Sequence, residues 1–155
     1  MMAKQIQRRS ARRRLPQCAI LLLVVWLRAA TTATAETIYL GHVRPMSGTW
    51  AGGPQMEAAV EMALEDVNAD TTVLPGHTLS RMIKDSLCQA GEGLKGLITW
   101  INDPLKPIVG ILGGGCSAVS IPLTSTAHLF HLVSLSPASG SVSLSNKQLF
   151  PSFVR

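Results

Sequence analysis

The chain has 155 residues and a formal net charge of +5, but the charge is unevenly distributed along it. Seven of the 14 Lys and Arg residues lie in residues 1–35, whereas all nine Asp and Glu residues lie in residues 36–155. Residues 36–155 therefore carry seven basic and nine acidic side chains, a net charge of −2, over the length of one small domain. This balance excludes a basic nucleic-acid-binding surface, and no nucleic-acid partner is predicted.

The first 35 residues have the layout of a secretory signal peptide. The basic stretch "MMAKQIQRRSARRR" precedes the apolar run "CAILLLVVWL", and Ala33 and Ala35 give an A-x-A cleavage pattern before Glu36. The apolar run stops at Arg28, short of the roughly 20 residues that a membrane-spanning helix needs. An uncleaved anchor is the alternative interpretation. The sequence predicts entry into the secretory pathway and a mature region of residues 36–155.

Strand and helix patterns alternate through the first half of this mature region. "TIYLGHVRP" predicts a strand that runs into the loop "MSGTWAGGP". The next stretch predicts a helix, because its apolar residues recur at helical spacing: Met56, Ala59, Val60, Ala63, Leu64 and Val67. "TLSRMIKDS" predicts a second strand. A second helix follows, ended by Pro104, with one apolar face formed by Leu94, Leu97, Ile98 and Ile101 and with Trp100 as a packing residue.

The same alternation continues to the end of the chain. "KPIVGILGG" has the continuous apolar character of a strand buried on both faces, and "LVSLS" predicts a fourth strand. Between them, "SAVSIPLTSTAHLFH" is compatible with a helix that holds Pro122 in its first turn, and a fifth strand is possible in the tail. The pattern predicts an α/β fold with a doubly wound parallel sheet. Ligands bind such sheets at the carboxyl ends of the strands, where "RPMSGTWAGG" and "GGGCS" lie.

Cys88 and Cys116 form an even pair in the mature region, so a disulfide is expected in an oxidising compartment. Two buried free thiols are the alternative.

The stretch "GGGCSAVS" between the third strand and its helix is compatible with three kinds of site. Gly113, Gly115 and Ala118 match a loose dinucleotide fingerprint, but no acidic residue follows about 20 residues later. A Cys116 thiolate at a helix N-terminus could be a nucleophile with His128 or His131 as its base, although helical spacing places both histidines roughly 18 to 22 Å away. The interpretation that uses every feature is anion binding by backbone amides, with the Ser117 hydroxyl at the helix cap.

Two residues near these loops have both a functional and a structural interpretation. Ser117 is predicted either to help bind an anion or only to cap its helix. Trp50, in a glycine-rich loop, is predicted either to cover the aliphatic part of a small ligand or to serve packing alone.

Five stretches together resemble the extracellular ligand-binding domain of class C G-protein-coupled receptors, and within these the metabotropic (type B) GABA receptors. They are "IYLGHVRPMSGTWAGG", "AAVEMALEDVNADTTVLPGH", "DSLCQAGEG", "NDPLKPIVGILGGGCSAVS" and "LSNKQLFPSFVR". The resemblance implies a periplasmic-binding-protein-like (type I) fold with two lobes, of which residues 36–155 form an incomplete first lobe. An amino-acid transmitter would sit between the lobes and close them.

The resemblance also assigns roles to individual residues. Trp50 would cover the ligand, and the Ser117 hydroxyl with the neighbouring amide of Cys116 would receive its carboxylate. The family disulfide falls on Cys88 and Cys116. A further ligand-binding serine of the family falls on Gly140, flanked by Ser139 and Ser141, and this departure puts GABA itself in question.

The predicted function is the extracellular ligand-binding region of a receptor for a GABA-like transmitter, with a second subunit as a partner and a G protein reached only through a membrane region outside this sequence. A full-length receptor would expose this region at the plasma membrane; a complete chain of this length would be secreted. The alternative is a secreted decoy or subunit-interaction module that binds no transmitter. An enzyme, a cofactor and a metal are not predicted, because paired carboxylates, metal-ligand spacing and a G-x-S-x-G motif are missing from the sequence.

Overall fold

The computed structural model describes residues 35–155, so that residues 1–34 of the predicted signal peptide lie outside the described residues. Strands and helices alternate as the sequence predicts, and the tail contains the fifth strand. The strands are β1 (Glu36–Arg44), β2 (His77–Asp85), β3 (Ile108–Gly113), β4 (Val133–Leu135) and β5 (Phe153–Val154). The helices are α1 (Gly53–Ala69), α2 (Ala90–Ile101), α3 (Ser117–His128) and a 3₁₀ turn (Val142–Ser145). In residues 35–155, no helix is long and apolar enough to cross a membrane.

The five strands form one sheet in the order β2-β1-β3-β4-β5, and every neighbouring pair is parallel. From β1 the chain moves outward to β2 and then returns past β1 to β3, so the direction of winding reverses between β1 and β3. The carboxyl ends of these two strands therefore flank the switch point, which is where open α/β sheets bind ligands.

One face of the sheet is covered by α2 and α3. Side chains alternate between the faces of a strand, and Val43 of β1 and Ile111 of β3 point into this core. Leu97 and Trp100 from α2 meet Val119, Leu123 and Ala127 from α3 there. Trp100 is only 4% exposed, which confirms its packing role. Ile98, in contrast, is 45% exposed because it lies on the outer side of α2.

The other face of the sheet carries α1 and is covered only in part. α1 confirms the predicted helix, but of its six regularly spaced apolar residues only Met56 is buried. The helix packs on β1 and β2, and in residues 35–155 no second helix covers β3 and β4 on this side. An apolar groove of about 580 Å³ remains open there, lined by α1 and by Leu40, Leu112 and Leu135 of the sheet.

Pro122 lies in the second turn of α3 and not in the first, because the helix begins five residues before it, at Ser117. Proline has no backbone N–H, so the carbonyl of Ala118 loses its usual hydrogen bond from this position. α3 nevertheless continues as one helix through Pro122, supported by the turns on either side of it.

Between α1 and the sheet lies a cluster of charged side chains around a buried histidine. Glu57 of α1 forms ion pairs with Arg44 and with Arg81, the latter at 2.7 Å, and Arg81 also pairs with Glu61. His42 is fully buried beside them, with its Nδ1 3.6 Å from the Glu57 carboxylate. Burial, reinforced by the positive charges of Arg44 and Arg81, lowers the pKa of His42 from 6.5 to about 4. This imidazole is therefore neutral at physiological pH.

We expect the free energy of unfolding to fall by about 2 to 3 kcal/mol between pH 7 and pH 4.5, because the unfolded chain binds a proton at His42 before the folded protein does. Chemical denaturation at a series of pH values measures this loss. Replacing the buried imidazole in His42→Phe should flatten the profile in this window, whereas replacing an exposed one in His131→Ala should leave it unchanged. Equal slopes in the wild type and in His42→Phe would contradict the prediction.

Candidate ligand-binding site

The loop that follows β3 depends on three consecutive glycines in the left-handed region. Gly113, Gly114 and Gly115 have φ values of 103°, 85° and 46°, which side chains with a Cβ rarely adopt. A Cβ on Gly113 would collide with the carbonyl of Val43, and the Gly114 N–H donates to that same carbonyl at 2.8 Å. The loop is thus folded against the end of β1 and directs the chain into α3.

Ser117 stands at the first position of α3, and its hydroxyl is used differently from the predicted cap. Cys116 is the N-cap residue, without a side-chain capping bond, so the capping role of Ser117 is wrong. The Ser117 hydroxyl instead accepts the backbone N–H of Ser141 at 3.0 Å. The first N–H groups of α3 have no acceptors within the helix, and the positive end of the helix dipole lies there.

Trp50 lies directly over the glycine loop. Its indole packs on Gly115, where an added Cβ would come within 2.8 Å of the ring, and also on Gly52. The side chain nevertheless remains 43% exposed. Together with Met56, Pro137 and neighbouring residues it lines a hollow of about 470 Å³. The indole therefore has one face on the protein backbone and a free surface beside an open hollow.

The loop after β4 is joined to the glycine loop by serine hydroxyls. Ser139 is 2% exposed and its hydroxyl lies 2.6 Å from that of Ser120, 2.9 Å from that of Ser136 and 3.3 Å from the Gly115 carbonyl. Ser139 thus lies below the surface, whereas Ser141 is half-buried beside Ser117. The network depends on Ser120 and Ser136, which the sequence analysis missed. Small polar residues at a strand end and in an apolar helix are a weak signal for such a network.

Gly140 lies at the surface between these serines. A Cβ added at this position would have no atom within 4 Å, and its φ is not in the left-handed region. The backbone therefore has room for a serine side chain at this position.

Cys88 and Cys116 are joined in a disulfide, with their Cα atoms 5.6 Å apart. The predicted bond is confirmed, and the hypotheses of a Cys116 nucleophile and of two free thiols are wrong. His128 and His131 are exposed at the far end of α3, where His128 lies 2.9 Å from the hydroxyl of Ser152. The disulfide connects the loop after β2 to the start of α3.

Asp85, the last residue of β2, joins the loops after β1 and β2 and was also missed. Its carboxylate accepts the N–H groups of Met46 and Leu87, each at 3.0 Å, and the hydroxyl of Ser47 at 2.9 Å. Burial raises the pKa of this carboxyl, but these hydrogen bonds outweigh the effect and lower the pKa below its ordinary value. An Asp at a strand end that binds the N–H two residues later is an Asx turn, a pattern that the stretch "DSL" permits.

A family model described as the receptor family ligand binding region matches residues 55–155. The chain therefore belongs to the family of receptor ligand-binding regions, in the form found in class C G-protein-coupled receptors.

Three relatives indicate the branch of this family. The chain is 44% identical over 121 residues to gamma-aminobutyric acid type B receptor subunit 1 of Mus musculus, covering 77% of this chain and 12% of that protein. It is 37% identical over 135 residues to the subunit 1 of Caenorhabditis elegans, covering 85% and 14%. Its identity to subunit 2 of Caenorhabditis elegans is 31% over 107 residues, covering 67% and 13%. The chain thus corresponds to about one eighth of the length of these receptors.

Reducing the disulfide should lower the free energy of unfolding by about 3 to 4 kcal/mol, because the bond closes a loop of 28 residues. The double variant Cys88→Ala/Cys116→Ala should lose a similar amount and should no longer respond to reductant. Denaturant titration with and without reductant measures both effects. Peptide mapping by mass spectrometry checks the pairing; a Cys88 peptide that is not linked to Cys116 in the native protein would contradict it.

Proposed function

We propose that this chain forms part of the first lobe of an extracellular receptor domain that binds a small amino-acid transmitter similar to GABA. In this proposal residues 1–35 are a signal peptide and residues 36–155 are the lobe segment. The observation that carries the proposal is that the indole of Trp50 packs on Gly115, two residues before Ser117 at the start of α3, at the switch point of the sheet. An exposed indole and a helix N-terminus at one edge suit a ligand with an aliphatic body and a carboxylate.

The carboxylate would bind at the start of α3. Backbone N–H groups there lack intrahelical acceptors and the helix dipole favours a negative charge. A hydroxyl has two acceptor lone pairs and one proton, so the Ser117 hydroxyl can accept the N–H of Ser141 and still donate to an anion. The N–H of Cys116, which the family resemblance assigns to the carboxylate, donates to the Gly114 carbonyl, so the backbone donors proposed for the ligand are the N–H groups of Ser117 and Ala118. Ser139 would support them by fixing the position of the Gly115 carbonyl.

The aliphatic part of the ligand would lie against the free surface of Trp50. The indole is held on Gly115 and Gly52, so little side-chain entropy is lost when a ligand covers it. The adjacent hollow is lined by Gln55, Pro137 and Ala138, and one side of it is open to solvent. A second lobe in a longer receptor would close over this side, and a ligand that contacts both lobes would stabilise the closed form.

The partner of such a receptor would be a second subunit, which the similarity to proteins named as subunits 1 and 2 supports. Coupling to a G protein would require a membrane region outside this sequence. No chemical change of the ligand is proposed, since the relatives are receptors.

For the lobe segment alone we expect a GABA dissociation constant of about 1 mM or weaker, because one lobe supplies only part of the contacts. Titration of ¹⁵N-labelled protein with GABA should shift the amide resonances of Gly115 and Ser117. These shifts should be lost in Ser117→Ala and in Trp50→Ala. A matched control is Ser125→Ala, which removes a hydroxyl from the exposed side of the same helix. Identical titration curves for Ser117→Ala and Ser125→Ala would contradict the assigned site.

A second candidate function is a secreted decoy or subunit-interaction module that binds no transmitter. The observation that favours it is Gly140, which stands where the receptor family has a ligand-binding serine. A glycine at this exposed position removes one donor from the carboxylate site, while the fold and the exposed faces of the lobe remain available to a protein partner.

The two functions make different predictions for Gly140→Ser. If the site binds a carboxylate, the added hydroxyl should tighten GABA binding about tenfold, since a hydrogen bond to a charged group contributes about 1.5 kcal/mol or more. Gly140→Ala adds the Cβ without the hydroxyl and should leave the affinity unchanged. Equal affinities for the serine and alanine variants would argue against a carboxylate at this position and for the second function.

A further inference from the structure

We infer that Asp85 is a positioning residue for the ligand site: its carboxylate holds the loop that carries Trp50 in place over the glycine loop. This inference rests on the proposed function as far as ligand affinity is concerned. The placement of Trp50 can be measured without any ligand.

Asp85 links the loop after β1 to the loop after β2. Asp85 receives two hydrogen bonds from the β1 loop, from the Met46 N–H at 3.0 Å and from the Ser47 hydroxyl at 2.9 Å. The Leu87 N–H also donates to Oδ1 of Asp85, at 3.0 Å. Gly48 then packs against the Leu87 backbone so closely that a Cβ would collide with its carbonyl. The stretch just before Trp50 is therefore held at two consecutive points.

The loop that begins after Asp85 is linked in turn to the glycine loop. Cys88 follows Asp85 by three residues and is bonded to Cys116, the residue next to Gly115. Trp50 returns from the other side and packs on Gly115. The contacts thus form a closed ring through the loops that follow β1, β2 and β3. The ring runs from Asp85 to the loop that carries Trp50, from Trp50 to Gly115 and its neighbour Cys116, and through the disulfide back to Cys88.

The weakest part of this ring is the one that Asp85 supplies. The disulfide is covalent and the backbone of the glycine loop is fixed by its own geometry, whereas the loop after β1 is exposed to solvent. All six residues from 46 to 51 are exposed, so removal of the Asp85 carboxylate frees the loop without opening the core. Asp85 does not line the hollow beside Trp50 and so acts on the site only through the loop.

The test compares variants by two readouts. The first is acrylamide quenching of Trp50, obtained as the difference between each variant and the same variant carrying Trp50→Phe. The second is the affinity for GABA from the amide titration. Asp85→Ala removes all three acceptor contacts; Asp85→Asn keeps the Oδ1 acceptor; Ser47→Ala removes a single bond and is the milder variant should Asp85→Ala not fold.

A matched control exists at the amino ends of the strands, on the other side of the sheet from the site. Asp103 also accepts two loop N–H groups, from Leu105 at 2.9 Å and from Lys106 at 3.2 Å, but its loop precedes β3 and does not reach the site. Asp103→Ala therefore removes a comparable loop contact at a distance from Trp50.

We expect Asp85→Ala to increase quenching of Trp50 and to weaken GABA binding about tenfold, which corresponds to about 1.4 kcal/mol. Asp85→Asn should restore most of both properties, and Asp103→Ala should resemble the wild type. Wild-type quenching in both Asp85→Ala and Ser47→Ala would overturn the inference, as would equal quenching in Asp85→Ala and Asp103→Ala. Increased quenching in a protein that binds no GABA even as wild type would uphold the positioning role and reject the proposed function.

Discussion

The candidate site depends on the left-handed backbone of Gly113, Gly114 and Gly115. Three residues in this conformation turn the chain against the end of β1 and start α3 at Ser117. The same turn places Cys116 within bonding distance of Cys88 and puts a residue without a side chain under Trp50. Because Gly115 has no Cβ, the indole of Trp50 can lie directly on the backbone. A single alanine in this loop would disturb both the start of α3 and the packing of the Trp50 indole.

The two sides of the sheet stabilise the lobe segment in different ways. Under α2 and α3 the contacts are apolar and tightly packed, with Leu97, Val119 and Leu123 almost inaccessible to solvent. Under α1 the charged side chains form ion pairs, and the neutral imidazole of His42 lies buried beside Glu57. Replacing one partner of such a cluster leaves an unpaired buried charge, so this side is more sensitive to pH and to charge substitutions. The apolar groove beside α1 is the part of this face of the sheet that the ionic contacts do not cover.

Periodicity in the sequence was sufficient to predict the strands, the helices and the parallel sheet, because these follow from local patterns of apolar residues. It could not predict how much of α1 is buried, since burial depends on whether a neighbouring element covers the same face of the sheet. The hydroxyl of Ser117 shows the same limit at the site. A serine at a helix start predicts a cap, but the N–H of Ser141, 24 residues away, competes for that oxygen. Asp85 was missed because its partners Met46 and Ser47 lie 38 or more residues away.

The links among the loops bear on how a signal could arise from ligand binding. The disulfide, the contacts of Asp85 and the serine network join the loops after β1, β2, β3 and β4 to one another. These loops therefore form a preorganised surface, and a ligand gains affinity there because little has to be ordered on binding. A surface of this kind cannot itself be the moving part. In the proposed receptor the conformational change must lie in the approach of a second lobe to the exposed side of Trp50, and the ligand shifts that equilibrium only by the contacts it makes with both.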